Sequence, residues 1–405
     1  MKTRLVTLLI LLLIIQTSKS SADNDSTLTR RFQISFISPV STNGMECGRC
    51  VNNFSLNMFL GFSSGTEGLE IGGFANINKH NTKGFQIAGF TNYSGGTLNG
   101  FQIAGFGNIV ADSSNGFQAG GFGCYTGRSL KGIQLGGNSC VTLRNLDGMQ
   151  IGGLANYAGS VKGAQITGFA NACIGKLDGF QVAGYVNYAD TMKGAQIAGF
   201  ANVSKKYVKG IQISGFFNYA RNIKGTQIGI VNIADSVKGV SIGLISFIRK
   251  GYRRYEFAAN EVFYLNASFK TGTNKFYNIF SAGARYDHQH AGWGIGYGIG
   301  TQIDFSKKIF MNAEVSSYYL SYDNYIVTVA NNLNRVNVDF GLQLSKHFDV
   351  FLGASYNIYI SQWYNPDTGK YGQQIAPYKM VSETWADSDM HMWIGGQAGI
   401  RFKEF

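Results

Sequence analysis

The sequence predicts an all-β protein: a parallel β-solenoid of about twelve 15–16-residue repeats, flanked by antiparallel strands of the outer-membrane-barrel kind. Three observations lead there. The phrase "GFQIAGF" at Gly84 returns at Gly100, and variants of it recur as far as Gly239. Beyond Tyr255 the pattern changes to strict apolar/polar alternation. The composition, with 54 Gly, 30 Phe and 22 Tyr against 14% charged residues, suits repetitive or barrel β-structure.

Four segments follow in chain order: 1–22, 23–67, 68–250 and 251–405. The first opens on Met1-Lys2-Thr3-Arg4, continues with the apolar run "LVTLLILLLII", and closes on Ser20, Ser21 and Ala22. A basic start, a short apolar stretch and small residues form a signal peptide, with cleavage expected before Asp23. The run is shorter than the ~20 residues of a membrane-spanning helix, so an exported mature chain is expected. In the second segment "RFQISFI" and "NNFSLNMFLGF" alternate, and are expected to supply further strands to the barrel.

The third segment carries the repeat. Its units open at Gly68, Gly84, Gly100, Gly116, Gly132, Gly148, Gly163, Gly179, Gly194, Gly210, Gly225 and Gly239. The consensus is G-x-Q-[IV]-x-G-F-x-N, then a polar stretch, then Val or Leu two residues before the next Gly. Stacked in register, the Gln and Asn columns can hydrogen-bond up and down a ladder. The apolar columns, Ile87–Ile103 and Phe90–Phe106 among them, are expected to line a continuous core. Two folds can make such a pattern: one coil per unit, all parallel, or one antiparallel barrel strand per unit. Antiparallel strands need two kinds of turn, yet "NYAGSVKG", "NYADTMKG" and "NYARNIKG" are interchangeable, which favours the parallel stack. The alternative is one large barrel of about twenty strands serving as a transport pore.

In the fourth segment "GWGIGYGIGTQIDF" places Trp293, Ile295, Tyr297, Ile299, Thr301, Ile303 and Phe305 on one face. "RVNVDFGLQLS" and "FDVFLGASYNIYIS" alternate likewise, and seven or eight such strands are expected, enough for a small closed barrel. The chain ends on Phe405, as outer-membrane barrels commonly do, although Phe405 is out of phase with the apolar set Ile394, Ala398, Ile400 and Phe402.

The units "GFQIAGFTN", "GAQIAGFAN" and "GIQISGFFN", preceded by "FISPVSTNG" and "NNFSLNMFLGF", resemble the leptospiral-type surface-repeat proteins also common in Bacteroidota. The resemblance implies an exported protein of the outer membrane or cell surface of a Gram-negative bacterium. It supplies no catalytic residues.

The residues themselves offer little chemistry. Cys47-Gly-Arg-Cys50 lacks the second ligand pair of a zinc site, and a local disulfide is expected instead. Cys124 and Cys140 occupy the Asn column one unit apart, so parallel stacking makes them neighbours and a second candidate disulfide. His288 and His290 sit in an interstrand segment without a third ligand. No nucleophile elbow, phosphate loop or acidic pair appears, so neither an enzyme, a cofactor nor a metal is expected. The net charge of +12 calls for an acidic partner: for an exported chain, anionic lipid or polysaccharide and not nucleic acid. Lys193, Lys209, Lys224 and Lys238 share one column on four consecutive units and form a candidate anion-binding ladder. At rung spacing each like-charged pair repels by ~1 kcal/mol even in water, so the column demands solvent or a counter-anion. The expected role is that of a non-enzymatic surface protein whose repeats form a structural or binding, adhesin-like face.

Overall fold

In a computed structural model the protein is almost entirely β-structure, described for residues 27–286, 291–321, 326–365, 369–385 and 387–403. Met1–Ala22, His288, His290 and Phe405 lie outside the described residues. The chain forms a parallel solenoid of about 12 turns with a closed antiparallel barrel of eight strands at its C-terminal end. It divides into two units, Met1–Arg144 and Asn145–Phe405.

In the first unit the strand residues of a repeat coil pair with their own counterparts one coil on. Gly84 pairs with Gly100 and Gly100 with Gly116, while Gln86, Gln102, Gln118 and Gln134 run in one line, all in parallel register. The opening glycine is dictated by the backbone. Gly100 has φ +142, and a Cβ there would stand 2.0 Å from the carbonyl oxygen of Gly84, so no side chain fits. The repeats are therefore coils, and the twenty-strand barrel does not form. The two N-terminal strands also join the solenoid and not the barrel. Leu28–Ile37 pairs in parallel with Cys50–Ser63, which passes the same register to Gly65–Gly72 and Ala75–Asn78. The solenoid thus begins some forty residues before Gly68. Val40–Ser41 folds back antiparallel on Leu28–Ile37 and covers part of its open edge.

The expected packing is inverted. Phe85, Ile87, Phe90, Phe101, Ile103 and Phe106 are exposed, while the Gln and Asn columns are buried. Strand alternation allows one parity inside, and Gln86 and Ala88 take it, which turns Phe85 and Ile87 outward. The interior is completed by small side chains such as Ser94 and Thr126, and by Leu98 and Leu130, two residues before the opening glycine. An amide interior is stable because nearly every group finds a partner one rung away, apart from ladder ends such as Asn156 Oδ1 and Gln227 Oε1. Gln102 Nε2 donates to Gln86 Oε1 at 2.6 Å, and Asn92 Nδ2 to Asn108 Oδ1 at 3.0 Å. Asn92 also caps a strand carbonyl of the following coil, Ile103 O, at 2.8 Å, so the column ties one face of a coil to the other face of its neighbour.

The coils of the second unit repeat this register, from Ala155–Thr167 through Val231–Ile242 to Ile245–Ile248. The barrel follows as β1 (Tyr252–Asn260), β2 (Leu265–Thr273), β3 (Phe276–Tyr286), β4 (Ala291–Asp304), β5 (Ile309–Leu320), β6 (Asn331–Gln343), β7 (Phe348–Ser361) and β8 (Ser388–Lys403). Each strand pairs antiparallel with the next, and β8 closes on β1 through pairs such as Phe257–Ile400. Short turns join β2–β3, β4–β5 and β6–β7 at one end. At the other end the β7–β8 connection is long and carries Ile375 into an apolar cluster with Phe263, Tyr318, Leu333, Tyr359 and Trp393.

Candidate functional site

Three features carry what chemistry the molecule offers: the ladders inside the coils, the charged column outside them, and the two surfaces of the barrel.

The amide ladders run with opposite polarity. In the second unit the Gln amides donate toward the preceding coil, Gln181 to Gln165, Gln196 to Gln181 and Gln212 to Gln196 at 2.8–2.9 Å. The Asn amides donate toward the following coil, Asn171 to Asn187, Asn187 to Asn202 and Asn202 to Asn218, each at 3.0 Å. The dipoles of one column oppose those of the other, so the long polarised chains build up little net field. In the first unit the Gln column ends on Glu70, which accepts from Gln86 Nε2, Thr66 Oγ1, Asn78 Nδ2 and Asn57 Nδ2. Burial pushes the Glu70 carboxyl above its ordinary range, although all four hydrogen bonds act in the other direction.

Cys124 and Cys140 stand opposite one another on adjacent parallel strands, as the repeat alignment requires. At ~4.8 Å between strands this is within disulfide range. None of the five cysteines is disulfide-bonded, so both expected bridges, Cys47–Cys50 and Cys124–Cys140, are open in this structure. Cys47 is buried in the 3-10 helix Gly44–Arg49, and Cys50 is buried directly after it. A hydrogen bond with Cys140 draws the Cys124 thiol below its usual range. Cys173 replaces a small interior residue between Ala158 and Ala189, and burial pushes its thiol up to about 11.

Lys193, Lys209, Lys224 and Lys238 do form one column, in register over four coils and exposed. Lys193 reaches Asp178 Oδ1 of the preceding coil at 3.5 Å. Among the described residues the other three make no ion pair. The charges three residues earlier in the same coils are matched: Lys206 with Asp190 at 2.7 Å, and Arg221 and Arg249 with Asp235. One charged column neutralises itself and the other does not.

The barrel is polar inside and apolar outside. Lys270 Nζ lies 2.6 Å from both Glu256 and Glu314, and Arg401 bonds Glu256 and Asn312. Tyr277 donates to Glu314, and Gln397 to Asp339, at 2.7 Å each. Nearer the long-loop end Glu261 accepts from Asn357 and Trp393. These side chains fill the lumen, as an eight-stranded barrel requires. Outward stand Ile295, Ile299, Val315, Val338, Leu352 and Ile400, all exposed. The alternation of β4, β6 and β7 marked this outer face in the sequence. The inner ion cluster was missed, although Lys270 and Arg401 carried a signal as charged residues in alternating strands.

A second missed set lies on the outer wall. Thr271, Asn278 and Tyr297 point outward, yet they bind the last coil of the solenoid. Thr271 Oγ1 donates to Ser246 O, Asn278 accepts from Ser246 N and donates to Gly243 O, and Tyr297 OH donates to Leu244 O. The open edge of the last coil is thereby capped by the barrel wall.

Among the described residues no group of three or more metal-binding side chains occurs. No family model, no curated protein and no solved structure matches the chain.

Proposed function

We propose that this is a non-enzymatic outer-membrane protein, in which the eight-stranded barrel spans the bilayer and the solenoid serves as a structural or binding surface. The observation that carries the reading is the parity of the barrel. Charged and amide side chains are turned inward, while a continuous set of Ile, Val, Leu and Phe is turned out, as a lipid-facing wall requires. A barrel dissolved in water would gain nothing from burying Lys270, Glu256, Glu314 and Arg401 while leaving those apolar residues exposed. The signal segment and the resemblance to surface-repeat proteins agree with export. The unmatched lysine column is the face suited to an anionic lipid or polysaccharide.

Cell fractionation tests the reading. The chain should be recovered in the outer membrane and migrate differently on gels before and after heating. Recovery as a detergent-free soluble protein would overturn it.

A further inference from the structure

The barrel has two unlike ends. Connections 274–275, 305–308 and 344–347 close one end, while 261–264, 287–290, 321–330 and 362–387 lie at the other. Outer-membrane barrels keep their short turns in the periplasm and send their longer loops outside. In a barrel that spans the outer membrane, the end closed by the three short turns therefore faces the periplasm.

The solenoid joins the barrel at that same end. The chain leaves the last coil, Ile245–Ile248, and enters β1 at Tyr252, which pairs with Gly272 near the end of β2. The docking residues lie on the same rim. Thr271 and Asn278 are a cross-strand pair, each two residues inside the β2–β3 turn. Asn278 holds Gly243 O, Ser246 N and Tyr297 OH at this level. The coils carry exposed charges rung after rung, Lys193, Lys206, Lys209, Arg221, Lys224 and Lys238 among them. Such a surface does not enter hydrocarbon. Tied to this rim, the coils stand in the aqueous space that the short turns face.

The lysine column lies beside the turn that carries Lys206 and Asp190. At that turn Lys206, Arg221 and Arg249 find carboxylates one rung away, in Asp190 and Asp235. In the column only Lys193 does so, with Asp178. Lys193, Lys209, Lys224 and Lys238 are in register on consecutive rungs. At ~4.8 Å per rung they form a line of cations ~14 Å long. A small anion would answer one or two of them, whereas a polymer with repeated anionic groups answers the whole line.

We infer that the repeats of the second unit face the periplasm and that their lysine column binds the carboxylates of the peptidoglycan, tying the outer membrane to the cell wall. The inference rests on the barrel reading above and names the partner of its binding surface. Peptidoglycan is the extended anionic polymer on that side of the membrane, and its stem peptides carry free carboxylates. In the cell lipopolysaccharide lies beyond the long loops, so in vitro its phosphates report only the column's affinity for anions.

Two experiments on the full chain test the inference. The five native cysteines are buried, so single introduced ones report the side of the membrane. Lys205→Cys lies at the charged turn of the coils and Glu383→Cys in the β7–β8 connection, both at exposed positions. Cells are treated with a maleimide on a polyethylene glycol too large to cross the outer membrane, before and after that membrane is permeabilised. Glu383→Cys should react on intact cells, and Lys205→Cys only after permeabilisation. Reaction of Lys205→Cys on intact cells overturns the inference and leaves the barrel reading intact. If Glu383→Cys also reacts only after permeabilisation, the barrel does not span the outer membrane and both readings fall.

For the partner, the detergent-solubilised chain is sedimented with purified peptidoglycan sacculi. Replacing Lys193, Lys209, Lys224 and Lys238 together by Gln should weaken binding about tenfold or more, since each close cation–carboxylate contact in water is worth about fivefold. The variant is first checked for the heat-modifiable mobility of a folded barrel. Amidating the carboxylates of the sacculi should weaken binding of the parent chain to a similar degree. Sedimentation that survives either change overturns the peptidoglycan assignment.

Discussion

Asn187 tests whether the coils are held together by amides or by ordinary apolar packing. Its Oδ1 accepts from Asn171 at 3.0 Å, and its Nδ2 donates to Asn202 Oδ1 at 3.0 Å and to Ile197 O at 2.7 Å. Asn187→Ala leaves Asn171 Nδ2 with Val182 O as a partner, but removes the donor from Asn202 Oδ1 and from the Ile197 carbonyl. Two buried acceptors stranded at ~1–3 kcal/mol each give a loss of about 2–4 kcal/mol once partial relaxation is allowed. By the tenfold-per-1.4-kcal/mol rule, that is a roughly 30- to 700-fold fall in local hydrogen-exchange protection. Hydrogen exchange read by mass spectrometry on the detergent-solubilised chain should show the fall in Ala170–Ala183, Val186–Ala198 and Ala201–Ser214, and far less in the barrel. Nearest-neighbour coupling in a solenoid confines it so. Asn187→Leu is the decisive companion, because it restores volume and apolarity without the hydrogen bonds. Protection at or above that of the parent in Asn187→Leu would refute the amide-core account.

Gly105→Val should disrupt the rungs beside it, because a Cβ there would stand 2.1 Å from the Gly89 carbonyl oxygen; limited proteolysis should open the chain first near 89–121. Mild oxidation should join Cys124 to Cys140, read as a loss of two hydrogen masses from that peptide pair, and a bridge from Cys124 to any other cysteine would contradict the register. Glu70, whose carboxyl is raised by burial, binds its proton more tightly folded than unfolded. Stability of the first unit should therefore fall as pH rises from the ordinary carboxylate range through the raised value, and denaturation curves of Glu70→Gln should lack that slope. Replacing Lys193, Lys209, Lys224 and Lys238 together by Gln should weaken and flatten the salt dependence of binding to lipopolysaccharide with the circular dichroism unchanged, whereas equal binding would leave the column a solubilising one. In planar bilayers the protein should carry no steady current, because side chains such as Arg401 and Lys270 fill the lumen.

The parallel stack was legible in the repeat itself. Interchangeable turns exclude alternating strand directions, and Cys124 facing Cys140 follows from the alignment alone. The barrel strands were legible too, since strict alternation over ten or more residues leaves one face for lipid or core and one for the other side.

Which parity of the repeat turns inward was not legible from hydrophobicity. Phe and Ile outrank Gln and Asn as core formers in any single coil, and only stacking gives each amide a donor and an acceptor one rung away. That compensation exists between coils and not within one. The fate of "RFQISFI" was hidden for the same reason, because its alternation suits a barrel strand and a solenoid rung equally. The row Thr271, Asn278 and Tyr297 scatters over three strands and has meaning only when the last coil rests on it. Sequence determined the period, the direction of the strands and the alternation of the barrel, all of which are local or nearest-neighbour properties. The tertiary structure decided which face is core and where the solenoid ends, because both depend on hydrogen-bond partners brought together from different coils and strands.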